Sequence, residues 1–311
     1  MTQVNMQQVK ELRERTQAGL NDCRGALIEA DGDMDKAVDI ILKKGLAKSA
    51  KRAGAVATEG EIAALVAADR KSGVLVEVNI QTDFAARNEE FKAFVKSVVG
   101  VAATASPQTD LGNLPHPGGG GSIDEFRQAL VGKLGENITI RRWTQLSSES
   151  GLVHSYVHMG GKIGVLLALS LADAGKAADP SALKFADDTA MQIAAMAPQY
   201  LTRADIPEPE RAKQAEIYEA QLVEEGKPAQ ARPKIIEGKI AKWAKEVCLL
   251  EQASVLEADK TIDQIRGELA KELGTEVIVK GFVRYLLGEG VEKKKSEDFA
   301  TEVLKMSQGS S

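Results

Sequence analysis

The stretch "GEIAALVAADRKSGVLVEV", residues 60–78, decides the fold. It reads as two strand-like runs with Gly73 near the turn, a hairpin pattern. The chain then repeats it. Set residue n against n+91 without gaps, and Gly60 falls on Gly151, Ile62 on Val153, Val66 on Val157 and Lys71 on Lys162. Gly73-Val74-Leu75 falls on Gly164-Val165-Leu166, and Val76 and Val78 fall on Leu167 and Leu169. The register holds through Phe94 on Phe185, Ala102 on Ile193 and Ala103 on Ala194. Each copy reads strand, turn, strand, turn, helix. A two-stranded hairpin with one helix closes a core poorly, so a third strand is expected in each. "NITIRRWTQL", Asn137 to Leu146, and "EVIVKGFVRYLLG", Glu276 to Gly288, supply them. The expectation is an α+β protein with two related core subdomains, each with a three-stranded antiparallel sheet. They span residues 56–146, and 147–206 together with 248–288.

Outward from this core, residues 1–55 read as a three-helix domain and a basic linker. Val9 and Leu12 mark the first helix. Asn21 or Asp22 is positioned to cap a second, holding Cys23, Ala26 and Leu27. Asp33 caps a third, where Met34, Ala37, Val38, Ile41 and Leu42 share a face and Gly45 is the expected stop. Five of the ten residues from Lys43 to Arg52 are Lys or Arg, which reads as a solvated face or linker, or as a docking strip for an acidic partner. Residues 207–247 read as an inserted antiparallel helical hairpin, a short coiled coil. Ala215, Tyr218 and Leu222 form its stripe on one helix, and Ile236, Ile240, Trp243 and Val247 on the other. That stripe suits self-association into a homodimer, contact with a partner, or packing on the core. "SPQTDLGNLPHPGGGGS", Ser106 to Ser122, has linker composition and is expected to be a mobile loop. Its glycines are not a phosphate cradle, because no Gly-Lys-Ser/Thr follows and no strand feeds it. Residues 289–311 are left as a short C-terminal helical module.

Bulk properties narrow the function. With 311 residues the length suits about two domains. A net charge of −5 argues against direct nucleic-acid binding, which needs a basic face to displace counterions. The N-terminus lacks the apolar stretch of a signal peptide. The longest apolar run, Ile163 to Ala172, contains Gly164 and Ser170 and is too short for a membrane span. Two cysteines, Cys23 and Cys248, make neither a disulfide framework nor a metal-ligand spacing. A soluble cytoplasmic protein without cofactor is expected.

No catalytic chemistry is legible. The histidines are His116 in the Pro/Gly loop and His154 and His158 on a strand. The latter two share a face but lie about 13 Å apart along it. No Cys–His pair, HExxH, GxSxG or Walker sequence occurs. The expectation is a protein that is not an enzyme.

One segment asks for a function. "NIQTDFAARNEEF", residues 79–91, joins a strand to a helix and sets Asp83 beside Phe84. From the residues alone two readings stand: a core ring beside a helix cap, or an exposed acid–ring pair offered to a partner.

This segment and three others resemble one family. "VKELRERTQAGLNDCRGAL", "VNIQTDFAARNEEF", "YVHMGGKIGVLL" and "GFVRYLLGEGVEK" occur in the order of the signatures of translation elongation factor Ts, over essentially the whole chain. The resemblance implies a ubiquitin-associated-like three-helix domain, a duplicated core, a helical-hairpin protrusion and a C-terminal module. It implies guanine-nucleotide exchange on the GTPase elongation factor Tu. It assigns Asp83 and Phe84 as a wedge inserted near that partner's Mg²⁺ and nucleotide site, with Thr82, Ala85, Arg87 and Asn88 in the same motif. The family often has valine at Ala85, and methionine at Leu20 and Asn21. Leu20, Asn21 and Arg24, Arg52, and His158 match further contact positions. The alternative is a non-catalytic adaptor that binds a protein through its three-helix domain.

Overall fold

The computed structural model describes residues 4–16, 18–52 and 54–291. Three helices come first: α1 (Met6–Thr16), α2 (Leu20–Glu29) and α3 (Met34–Arg52). Val9, Leu12, Cys23, Ala26, Leu27, Ala37 and Ile41 close their small core. Asp33 caps α3 as expected, accepting from the Asp35 and Lys36 amides at 3.1 Å each. Two local expectations fail. Gly19, not Asn21 or Asp22, precedes the first turn of α2, and no side chain caps it. Helix α3 does not stop at Gly45 but continues to Arg52. Gly45 is buried against another helix, where a Cβ would lie 3.7 Å from Gln128 O and 3.8 Å from Ala129 Cα. Its small size serves helix packing there, and tertiary contact overrides its weak helix propensity.

The core follows as β1 (Glu59–Val66), β2 (Ser72–Ile80), α4 (Asp83–Ala86), α5 (Glu89–Ala102), α6 (Ile123–Leu134) and β3 (Ile138–Ser147). The second copy is β4 (Gly151–His158), β5 (Ile163–Leu171), α7 (Pro180–Met196), then α8 (Glu208–Glu224) and α9 (Arg232–Val247), and finally α10 (Ile262–Leu273) and β6 (Val277–Leu286). Among the described residues the strands form two antiparallel sheets, ordered β1-β2-β3 and β4-β5-β6. The fold is α+β, with the third strand of each sheet where the sequence placed it.

The sheets face each other across Ile62, Leu75, Val153, Leu166, Ala168 and Tyr285. Helices cover the outer faces. Phe91, Phe94, Val95 and Val98 of α5 and Leu130 and Val131 of α6 pack on the first sheet. Phe185, Ala186, Ala190 and Ile193 of α7 and Leu269 and Leu273 of α10 pack on the second. The central strands are therefore buried on both faces, which is why "VLVEV" and "VLLAL" read as continuous rather than alternating.

The duplication runs deeper than one helix per copy. Helices α6 and α10 are equivalent, and sequence reading missed both. Each starts with a capping box, Ser122 with Glu125 and Thr261 with Gln264, and each ends at a left-handed glycine, Gly135 at φ 73° and Gly274 at φ 66°. Arg127 Nη1 donates to Ile138 O at 2.9 Å, and Arg266 Nη1 to Val277 O at 2.7 Å, so each helix ties down the start of the next strand. Both sheets also carry a bulge at the same place, between Glu77 and Val78 and between Ala168 and Leu169. The α8–α9 hairpin thus interrupts the second copy between its two helices.

The Ser106–Ser122 segment is not the loose loop its composition suggests. Leu111 is buried in the first core, Trp143 Nε1 donates to Thr109 O at 3.0 Å, and the His116 ring stacks on Phe126 at 3.7 Å. A few apolar anchors outweigh the glycine content. Of the expected C-terminal module, residues 292–311 lie outside the described residues.

Candidate partner-binding site

Strand β2 ends at Ile80, and the chain turns through Gln81 and Thr82 into α4. Thr82 is the N-cap, its hydroxyl accepting from Ala85 N at 3.2 Å. Asn88 then caps α5, accepting from Glu90 N at 2.8 Å. Two caps within seven residues force a single helical turn with two faces. Ala85 and Ala86 pack against the first core. Asp83, Phe84 and Arg87 point outward. The Phe84 ring is 85% exposed, and Asp83 pairs with Arg87 at 3.0 Å in solvent. Of the two readings of this segment, the core ring is excluded by that exposure. The cap is Thr82 rather than Asp83.

Other residues singled out by sequence reach this end of the molecule through linked contacts. Arg52 ends α3, and Ala55 just beyond it accepts from Asn137 Nδ2 at 2.9 Å. Asn137 N donates in turn to Gln81 Oε1 at 2.7 Å. Leu20, Asn21 and Arg24 lie exposed on the first turns of α2. Their neighbours Gly19 and Asp22 line a cleft with Lys133 of α6, and Lys133 pairs with Glu90 on the first turn of α5.

His158 arrives from the second sheet. In the turn after β4, Gly161 O accepts from Ile62 N at 2.8 Å, and Lys162 reaches Glu59 at 2.6 Å. Glu59 pairs with Ile80, beside the motif. Gly161 is required there, because a Cβ would lie 2.6 Å from Glu61 Cγ. His158 is exposed, with Nδ1 2.9 Å from the Tyr156 hydroxyl. His154, on the same face of the strand, lies 3.0 Å from Asp187 of α7. The two histidines share a face but not a site.

Sequence reading missed two groups here. Met159 is 70% exposed at φ 50°, a left-handed backbone that methionine adopts at a cost. Glu136 accepts from both Thr82 N at 3.0 Å and Thr82 Oγ1 at 2.8 Å. The signal for it was the "GEN" that follows α6, a helix stop just before β3, which pairs with the strand that the motif follows.

In the second copy, Asp173 stands where Thr82 does and Gly175 where Phe84 does. The exposed ring is therefore an addition to one copy, not a need of the fold. Among the described residues, no group of three or more His, Cys, Asp or Glu is placed to hold a metal ion, and no helix is long and apolar enough to cross a membrane.

Fold and site together define a duplicated α+β protein that offers an exposed turn capped at both ends. Its relatives agree on what such a protein is. The family model described as "Elongation factor TS" matches residues 81–289. The chain is 46% identical over 299 residues to an elongation factor Ts of Clostridium perfringens, covering 96% of this chain and 97% of that one. It is 47% identical to elongation factor Ts of a Nitratiruptor species, covering 96% and 98%. It is 45% identical to that of Clostridium acetobutylicum, covering 97% and 98%. The chain belongs to the elongation factor Ts family.

Proposed function

We propose that the chain is a guanine-nucleotide exchange factor that binds elongation factor Tu and speeds GDP release during translation elongation, in the cytoplasm and without altering the nucleotide chemically. Membership of the family supports the partner and the reaction. The observation that carries the mechanism is the Phe84 ring, 85% exposed on a turn capped at both ends. An exposed ring on a rigid connection is costly to hydrate and suited to fill a partner's pocket.

The motif works as a wedge. Nucleotide and Mg²⁺ are held in a GTPase by converging charges and backbone N–H groups. A ring driven between the elements that carry those groups displaces them, and the Asp83 carboxylate competes for the freed donors. Binding the nucleotide-free partner more tightly than the GDP-bound one weakens GDP by the same factor. Thr82, Ala85, Arg87 and Asn88 shape the turn, while Leu20, Asn21, Arg24, Arg52 and His158 extend the contact on either side. The three-helix unit, the two core units and the hairpin then meet different parts of one partner. The test is stopped-flow release of fluorescent GDP from elongation factor Tu. The off-rate rises with factor concentration to a plateau; an off-rate unchanged at saturating factor overturns the reading.

A further inference from the structure

We infer that Glu136 is a positioning residue for the wedge, holding α4 formed and Phe84 aimed before the partner arrives; this rests on the exchange reading above. Phe84 has almost no packing of its own, so its direction comes from the backbone of a four-residue helix. A single turn is not stable by itself, since nucleation fixes several residues for one hydrogen bond. Something outside the turn must hold it.

Glu136 does so through the cap. The Thr82 hydroxyl must accept from the Ala85 amide, which can only donate, so its own proton has to go elsewhere. Glu136 Oε1 takes that proton at 2.8 Å, and Oε2 takes the Thr82 N–H at 3.0 Å. One carboxylate thus accepts both hydrogens of the cap residue and leaves the hydroxyl oxygen turned toward Ala85. Charge-assisted bonds of this kind are stronger than neutral ones. Glu136 is itself anchored on both sides. Gly135, left-handed at φ 73°, ends α6. Asn137, buried, holds Gln81 and Ala55.

The second copy provides the comparison. There Thr275 occupies the place of Glu136, and its hydroxyl accepts from Asp173 N at 2.8 Å. The fold needs one bond at this junction. The copy with the exposed ring has two, both to a carboxylate.

The experiment compares Glu136→Ala, Glu136→Gln and Phe84→Ala in the full chain. Two readouts are taken: GDP release from elongation factor Tu across factor concentrations, and amide hydrogen exchange over residues 81–91 of the free protein. Glu136→Ala is expected to speed amide exchange at Ala85 about tenfold and to lower the exchange efficiency about tenfold, the factor carried by ~1.4 kcal/mol. Its melting temperature stays near that of the parent. Glu136→Gln keeps an acceptor oxygen and recovers to within about threefold. Two outcomes overturn the inference. In one, Phe84→Ala impairs release while Glu136→Ala does not. In the other, Glu136→Ala loses amide protection evenly across both sheets, which marks a general fold residue. Release unimpaired in Phe84→Ala as well overturns the wedge reading on which this inference rests, whereas release that the parent chain itself fails to speed overturns the exchange reading.

Discussion

Gly288 N donates to Glu77 Oε1 at 2.8 Å, joining residues 211 apart in the chain. Glu77 is fully buried on the central strand of the first sheet; Gly288 follows the last strand of the second. The same carboxylate accepts from Arg141 at 2.9 Å, Arg142 at 2.6 Å and Asn79 at 3.1 Å. Arg142 also lies over the Tyr285 ring at 4.1 Å and donates to Leu286 O at 3.1 Å. This cluster bolts one sheet to the other. At the equivalent bulge the second copy has Ala168, so the bolt belongs to one copy alone.

Burial would raise the Glu77 pKa, but Gly288, Arg141, Arg142 and Asn79 together bring it below its ordinary 4.5. A lowered folded pKa means the group stabilises the fold above the unfolded value and loses that contribution as pH falls through the folded one. Stability is therefore expected to decline as pH drops below about 4.5. Glu77→Gln should flatten that acid limb. At pH 7 it should cost about 3 kcal/mol, since two partly buried arginines lose their counter-charge. Urea unfolding from pH 3 to 7 measures both; an unchanged acid limb contradicts the assignment.

Phe84→Ala should separate function from stability. A buried Phe→Ala change costs roughly 3–5 kcal/mol. A ring as exposed as this one should cost within ~0.5 kcal/mol in the free protein. As an interface anchor it is worth about 2 kcal/mol or more, so GDP release efficiency should fall at least about thirtyfold. Asp83→Ala should act in the same direction and less than additively with Phe84→Ala, because neighbours in one site couple. Thermal melting beside exchange kinetics decides it: a melting point lowered by ~10 °C with exchange intact identifies a core residue.

Gly73 and Gly164, equivalent in the repeat, sit where the two sheets touch. A Cβ on Gly164 would lie 2.4 Å from Ile62 Cγ2 and 2.8 Å from Leu75 Cδ1. On Gly73 it would lie 2.9 Å from Val153 Cγ1. Either alanine should destabilise by overpacking, about 1–3 kcal/mol, with Gly164→Ala the worse. Ile62→Ala should relieve Gly164→Ala in a double mutant, measured as a negative coupling in chemical denaturation.

Gly45 gives the opposite expectation. It is helical and buried against α6, yet a methyl group there fits at ordinary contact distance. Gly45→Ala should stabilise the N-terminal helices by up to about 1 kcal/mol. Gly45→Leu should lever α3 away from α6 and weaken partner affinity while both sheets stay folded. Proteolysis of the bundle, beside the melting of the core, distinguishes the two. Removing residues 1–54 should likewise leave a cooperatively melting core with reduced affinity for elongation factor Tu.

The repeat was legible because its strands keep their spacing over the ungapped offset of 91 residues. The second helices were not seen, because the inserted hairpin moves their offset to 139, as from Gly135 to Gly274. Their capping boxes and terminal glycines were the available signal. The Ser106–Ser122 segment was misjudged because composition counts glycines, whereas Leu111 and Trp143 decide its order. Gly45 was misjudged because a glycine near a helix end and a glycine at a helix contact look alike until the second helix is placed.

What the sequence determined by itself is local and periodic: the α+β class, the duplicated hairpins, the third strand of each sheet, the cap at Asp33 and the motif at residues 79–91. These rest on apolar strand runs, helical spacing and turn chemistry, all of which act over a few residues. Only the tertiary structure decided that Phe84 faces solvent, that Glu136 holds Thr82, and that Glu77 bolts the sheets together. Burial and pairing join residues far apart in the chain, such as Glu77 and Gly288. No local pattern encodes which distant group completes a buried carboxylate.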